Sequence, residues 1–227
     1  MTLDRPHLAE LLDAGGAPPD QVARSLADLR RINRWLGGSR VLAKILTGEV
    51  RRSGVSRFSL LDVGAASGDL ALMVARRFPL CRVVVCDLKR AHLGSRAWPA
   101  VAADARALPF PDCSFDFVSV SLLLHHFADK EAVQVLQRLG RIARRAVLIN
   151  DLERHWLPLW FAQTAGPALG WGLVTRHDAA ASIRQAFLVE ELGALALAAG
   201  FSDFQVRRHR PWFRLSLVAR PRWSDAA

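Results

Sequence analysis

The sequence predicts an α/β fold: a doubly wound sheet with helices on both faces, preceded by further helices at the N-terminus. Three observations carry this. From Ser59 to Leu148, short apolar runs alternate with helical patterns, as parallel strands joined by crossover helices do. The first run leads through a glycine-rich turn into a helix, the corner at which such sheets bind nucleotide-like ligands. The chain ends on two alternating stretches joined around Pro211, which read as an antiparallel pair.

Residues 1–57 read as helical. Leu26, Leu29, Ile32 and Leu36 recur at helical spacing, and Val41, Leu42, Ile45 and Leu46 resume the pattern after Gly37-Gly38. Gly15-Gly16-Ala17-Pro18-Pro19 reads as a turn between two helices. Strands are expected near 59–63, 82–86, 100–103, 115–121 and 145–150. They are short, apolar and partly β-branched, as strands buried on both faces should be. Val189 to Ala199 reads as a helix stopped by Gly200. Phe201 to Arg210 and Trp212 to Arg220 are the last two strands, the second marked by Phe213, Leu215, Leu217 and Ala219. Trp223 to Ala227 reads as a frayed tail.

The most informative stretch is Leu61-Asp62-Val63-Gly64-Ala65-Ala66-Ser67-Gly68, followed by the helical Asp69 to Ala75. Small residues let the backbone pass close to a ligand, and the helix N-terminus offers free N–H groups. Here an acid, Asp62, precedes the glycines. That suits a ligand carrying an amino or sulfonium cation better than a pyrophosphate. A second acid, Asp87, ends the run Val83 to Cys86. It lies 19 positions after Gly68 (87 − 68), close to the spacing of a carboxylate that accepts both ribose hydroxyls. A third acid, Asp104, follows Val101-Ala102-Ala103.

With LDVGAASGDLA, VVVCDL, ADARALPFPDCSFDFVSVS, LLLHHF and EELGALALAAGF in this order, the chain resembles the class I S-adenosylmethionine-dependent methyltransferases from about Phe58 to Pro221. The resemblance is strongest to the small-molecule branch that includes the ubiquinone/menaquinone-biosynthesis type. It implies a Rossmann-like seven-stranded sheet with an antiparallel last strand. It divides the chain into an N-terminal helical cap (1–57), the methyltransferase domain (58–221) and a tail (222–227), with a substrate-side insertion at 150–185. The cap either overlies the cofactor cleft or forms a helical layer on the sheet. The cofactor implied is S-adenosyl-L-methionine. Asp62 and the Gly64–Gly68 turn would hold its methionine end, Asp87 its ribose, Asp104 and Ala105 its adenine; Leu88 is a further cofactor-binding residue, and Ser121 matches a cofactor-touching position. Ala66 departs from the family, which usually has glycine there. A methyl group is tolerated at negative φ but not at positive φ, and we read it as tolerated.

His125-His126 follows the fourth strand, where this family's active site opens, and is the first candidate for a base that takes a proton from a substrate hydroxyl. The alternative is that both imidazoles only pack or cap the next helix. His177 is a third candidate, oriented by Asp178 or Asp151, and His155 competes; Asp178 is more simply an N-cap before Ala179. Trp156, Trp160, Phe161 and Trp171 lie between the fifth strand and the next helix. As pocket walls they favour a flat, greasy substrate; otherwise they are core.

Composition bounds the rest. At 227 residues with 51% hydrophobic and 23% charged content, the chain is one globular domain with a large core and an appended cap. The net charge is +10, and lysine occurs only at Lys44, Lys89 and Lys130. The arginines are scattered, without the stripe of a nucleic-acid groove. Three cysteines without a CxxC give no metal spacing and suit a reducing compartment. No apolar run approaches 18 residues and no signal-peptide pattern opens the chain, so a cytoplasmic location is expected.

The expected function is thus methyl transfer to a small, largely apolar metabolite such as a phenol, quinone or polyketide, with O-transfer favoured because histidines are available. A carrier protein or a second copy stays open as a partner. The rival readings are an RNA or protein methyltransferase of the same fold, and a non-catalytic cofactor-binding scaffold.

Overall fold

The computed structural model describes residues 5–6, 8, 10–14, 18–66, 68–90, 93, 98–166 and 168–221. The turn expected at Gly15–Ala17 and the tail expected from Trp223 lie outside these residues, as does Ser67. The strands are β1 (Phe58–Val63), β2 (Cys81–Asp87), β3 (Ala100–Ala102), β4 (Phe115–Ser121), β5 (Ala143–Leu152), β6 (Asp203–His209) and β7 (Arg214–Arg220). The helices are α1 (Leu11–Ala14), α2 (Pro19–Trp35), α3 (Gly38–Ser53), α4 (Asp69–Arg77), α5 (Asp129–Ile142), α6 (Trp156–Thr164), α7 (Leu173–Gln185) and α8 (Val189–Ala198).

The seven strands form one sheet in the order β3-β2-β1-β4-β5-β7-β6. The first five are parallel; β7 runs antiparallel to both β5 and β6. This is the Rossmann-like sheet with its antiparallel strand that the sequence implied. The order reverses at β1 and β4, so the carboxyl ends of β1, β2 and β4 open on one crevice.

Side chains alternate across the pleat. Leu61, Val63, Val118, Val120, Val147 and Ile149 pack beneath α5 and α8, with Val135, Leu136, Leu139, Leu192 and Leu195. Phe58, Leu60, Phe117, Ala146 and Leu148 face the other way, onto Leu42, Ile45 and Leu46 of α3 and Ala71 and Val74 of α4. The two long N-terminal helices therefore do different jobs. α3 is a layer on the sheet, whereas α2 contributes Leu26, Leu29, Arg30 and Asn33 to the wall of a cavity. Asp28 ties α2 to α7, accepting from Thr175 Oγ1 at 2.9 Å and from the Gly172 amide at 3.0 Å.

Two of the expected boundaries that move bear on the site. Strand β7 begins at Arg214 rather than Trp212, because Phe213 takes a positive φ of 48° and ends the preceding turn. Helix α7 begins at Leu173, not Ala179, so Asp178 lies inside it and cannot be its N-cap. Its carboxylate instead receives the backbone amides of Leu11 and Leu12, at 2.8 and 3.0 Å, and so caps the first turn of α1 from a distant element.

Candidate active site

A cavity of about 430 Å³ lies over the strand ends, within the range of small-ligand sites. From the sheet side its wall includes Gly64, Ala66, Asp87, Leu88, Asp104, Ala105 and Ser121. From the helical side it includes residues of α2, α6 and α7 together with Trp212, Phe213 and Arg214. Of the residues singled out from sequence, His125 and His126 also line it, whereas Asp62, Gly68 and His177 do not.

The turn after β1 is built for close approach. Gly64 has φ +72°, and a Cβ there would meet Leu123 Cδ2 at 2.9 Å. Ala66 was expected to sit at negative φ; it takes φ +44°. What holds it there is Asp87, whose Oδ2 accepts the Ala66 amide at 2.9 Å while Oδ1 accepts the Lys89 amide at 2.9 Å. Asp87 is thereby fixed between the turn and the end of β2. A left-handed alanine costs about 1 kcal/mol. In Ala66→Gly, release of that strain is offset by the greater entropy of glycine in the unfolded chain. Melting temperature and S-adenosylmethionine affinity should both change little; a gain in affinity beyond about tenfold on calorimetry would favour the scaffold reading instead.

Asp62 is turned into the sheet. Its Oδ1 accepts the Ser119 hydroxyl at 2.8 Å, and its Oδ2 is buried with no partner. Burial raises its pKa to about 7; Ser119 opposes the rise and Asp87 adds to it. The folded state thus holds this proton more tightly than the unfolded chain does. Its contribution to stability is present below the usual carboxylate range and is lost as pH rises towards 7. Asp62→Asn should therefore melt higher than the parent at pH 8 and nearly equal to it at pH 4. Equal gains at both pH values would show that Asp62 ionises freely.

Asp104 caps a short 3-10 turn, accepting the Arg106 amide at 2.8 Å, and pairs with the Arg106 guanidinium at 2.7 Å. Ser121 receives Asn150 Nδ2 at 2.7 Å, which sets the hydroxyl at the end of β4.

The histidines separate cleanly. His155 caps α6, its Nδ1 accepting the Leu157 amide at 3.1 Å, and His177 is exposed against Asp178. His125 is only 1% exposed. Its Nδ1 lies 2.6 Å from Asp151 Oδ1, so Asp151 serves His125 rather than His177. Its Nε2 has no hydrogen-bond partner; Glu10 Oε1 is 3.6 Å away, beyond hydrogen-bond reach. Burial works against the charged imidazole, but Asp151 and then Glu10 outweigh it and raise its pKa to about 10. His126 stacks on it with ring centroids 4.4 Å apart. On the far side, Arg214 is fully buried. Its Nε donates to the Leu36 carbonyl at 3.3 Å, and burial pulls its pKa down to about 10, with Asp151 opposing.

The aromatics divide as well. Phe161 and Trp171 line the cavity and meet edge to face at 6.4 Å. Trp156 and Trp160 are 55% and 56% exposed on α6 and are neither core nor wall. Sequence reasoning missed Glu10, Arg214 and Asn150. For Arg214 a signal existed, a charge opening an otherwise apolar strand; for Glu10 there was none.

Comparisons with known proteins agree with this geometry. Residues 60–146 match the family model described as a methyltransferase domain. The ubiquinone/menaquinone biosynthesis C-methyltransferase UbiE of Paracoccus denitrificans is 35% identical over 130 residues, covering 49% of this chain and 46% of that protein. The 3-O-methylredipecamine 2-O-methyltransferase of Carapichea ipecacuanha is 34% identical over 125 residues, 52% of this chain and 34% of that one. The chain thus spans less than half the length of these curated relatives. Among solved structures, human N-acetylserotonin methyltransferase in complex with SAM superposes with a TM-score of 0.60 at 17% identity, covering 96% of this chain and 63% of that one; this likeness is one of fold.

Proposed function

We propose that this chain, whose residues 60–146 belong to the methyltransferase-domain family, moves a methyl group from S-adenosylmethionine to an oxygen of a small, largely apolar acceptor. The observation that carries the reading is the cavity wall on which Asp87 and the Gly64–Ala66 turn stand with His125, which Asp151 holds from behind. The residues fit the cofactor. A carboxylate oxygen accepts more than one hydrogen bond, so Asp87 can take ribose hydroxyls beside its backbone contacts. The turn admits a ligand against its backbone, and Asp104 with Ala105 suits the adenine.

The cofactor supplies an already activated methyl group. The chain's task is to hold the acceptor in line and keep water out. His125, held as the imidazolium by Asp151 and Glu10, offers its Nε2–H to the acceptor oxygen. An acceptor that has given its proton to solvent stands as an oxyanion against that imidazolium, whose charge Asp151 balances and whose ring Asp151 orients. Phe161 and Trp171, with Leu26 and Leu29 of α2, offer the apolar wall for a flat acceptor.

C-transfer to a quinone is the second reading, favoured by the match to the UbiE enzyme. Incubation with labelled cofactor and a panel of phenols and demethylated quinones distinguishes the two by the bond formed. With the best acceptor, Trp171→Ala or Phe161→Ala should raise KM by about tenfold, the worth of roughly 1.4 kcal/mol of lost apolar contact. Trp156→Ala and Trp160→Ala should leave it unchanged. If all four behave alike, the acceptor does not lie against α6 and α7.

A further inference from the structure

We propose that His125, His126 and Glu10 form a binding site for a first-row divalent cation on the cavity wall. The two imidazole nitrogens and a Glu10 carboxylate oxygen all lie within 4.8 Å of one another. Glu10 Oε1 is 3.6 Å from His125 Nε2, and Oε2 is 3.9 Å from His126 Nε2. Donors bound at about 2.0–2.2 Å to one ion stand roughly 3–3.5 Å apart. Small side-chain shifts therefore bring these three to bonding distance.

Two further features point to a ligand. His125 Nε2 is a buried polar atom without a hydrogen-bond partner, which is uncommon in a folded protein. Its other nitrogen is held by Asp151 at 2.6 Å, the carboxylate–histidine arrangement that orients a metal-binding imidazole and raises its basicity. Glu10 is itself buried and is steadied by the Ser182 hydroxyl at 2.5 Å. No local spacing announces the set, because Glu10 stands 115 positions before His125 (125 − 10).

The donor chemistry selects the ion. Two imidazoles and one carboxylate suit zinc, cobalt, manganese or ferrous iron, whereas magnesium and calcium prefer oxygen alone. Three protein donors leave coordination positions open, and all three residues line the cavity. On the proposed function, an acceptor oxygen fits such a position. The cation then displaces the His125 Nε2 proton to solvent and takes its place as the positive charge facing the acceptor oxygen.

The test needs neither cofactor nor acceptor, so its failure is separate from that of the methyl-transfer reading. Chelator-stripped full chain is titrated with Co²⁺ by visible absorption and with Zn²⁺ by calorimetry. We expect one equivalent to bind at micromolar concentration or tighter. His126→Ala and Glu10→Gln should each weaken binding at least tenfold, and Asp151→Asn about 10–100-fold through the loss of the orienting carboxylate. His177→Ala should bind as the parent does. Melting curves confirm that each variant is folded. Absence of saturable binding below millimolar, or unchanged affinity in both His126→Ala and Glu10→Gln, overturns the site.

Discussion

His125→Ala should lower kcat by roughly 10²–10⁴ while cofactor affinity is nearly kept. The imidazolium is the charge that faces the acceptor oxygen, and Asp151 fixes its orientation from within the sheet at 2.6 Å. Asp151 does not itself line the cavity and meets the acceptor through that ring, so Asp151→Asn should lose less and should lose it in kcat rather than KM. His126→Ala removes the ring stacked on His125 and should have an intermediate effect, while His177→Ala, exposed and off the wall, should turn over normally. Steady-state kinetics with one acceptor checks all four. Near-normal kcat in His125→Ala would end this role for His125 and leave positioning by the cavity wall alone.

The second large effect is on the cofactor. Asp87→Ala should weaken S-adenosylmethionine binding by at least tenfold, since a charge-assisted hydrogen bond is worth about 1.5–3 kcal/mol. Part of the loss comes from the turn. Asp87 holds the Ala66 amide in a left-handed conformation that alanine does not favour on its own. Combining Asp87→Ala with Ala66→Gly should therefore recover some affinity, and the recovery measures that share. Unchanged affinity in the single variant would remove Asp87 from the site.

The sheet was legible because β1, β4 and most of β2 and β5 are buried and read as apolar runs. Asp87, Asp104 and Ser121 could be located by counting along these runs, since strand ends fall where the apolar pattern stops. His125 was visible by position, but its state was not. The carboxylates that surround it come from Glu10 and Asp151, and neither separation in sequence carries a period. The misreading of Asp178 has the same origin. An acid before Ala179-Ala180-Ala181 resembles a local cap, yet the amides it receives belong to Leu11 and Leu12. Ala66 failed for another reason: backbone hand is set by Asp87 across the crevice, and no residue near position 66 reports it.

The two sides of the cavity differ in how far the chain must travel to make them. The sheet side draws on residues between 63 and 123, whose contacts are comparatively local. The helical side brings together Glu10, Asn33, Phe161, Trp171 and Arg214, nearly the full length of the chain. Contacts of wide sequence separation are entropically costly to close and form late. The helical side of the cavity is complete only with β7 in place, where Arg214 meets the Leu36 carbonyl. A destabilised chain should accordingly lose its choice of acceptor before it loses its nucleotide-like ligand.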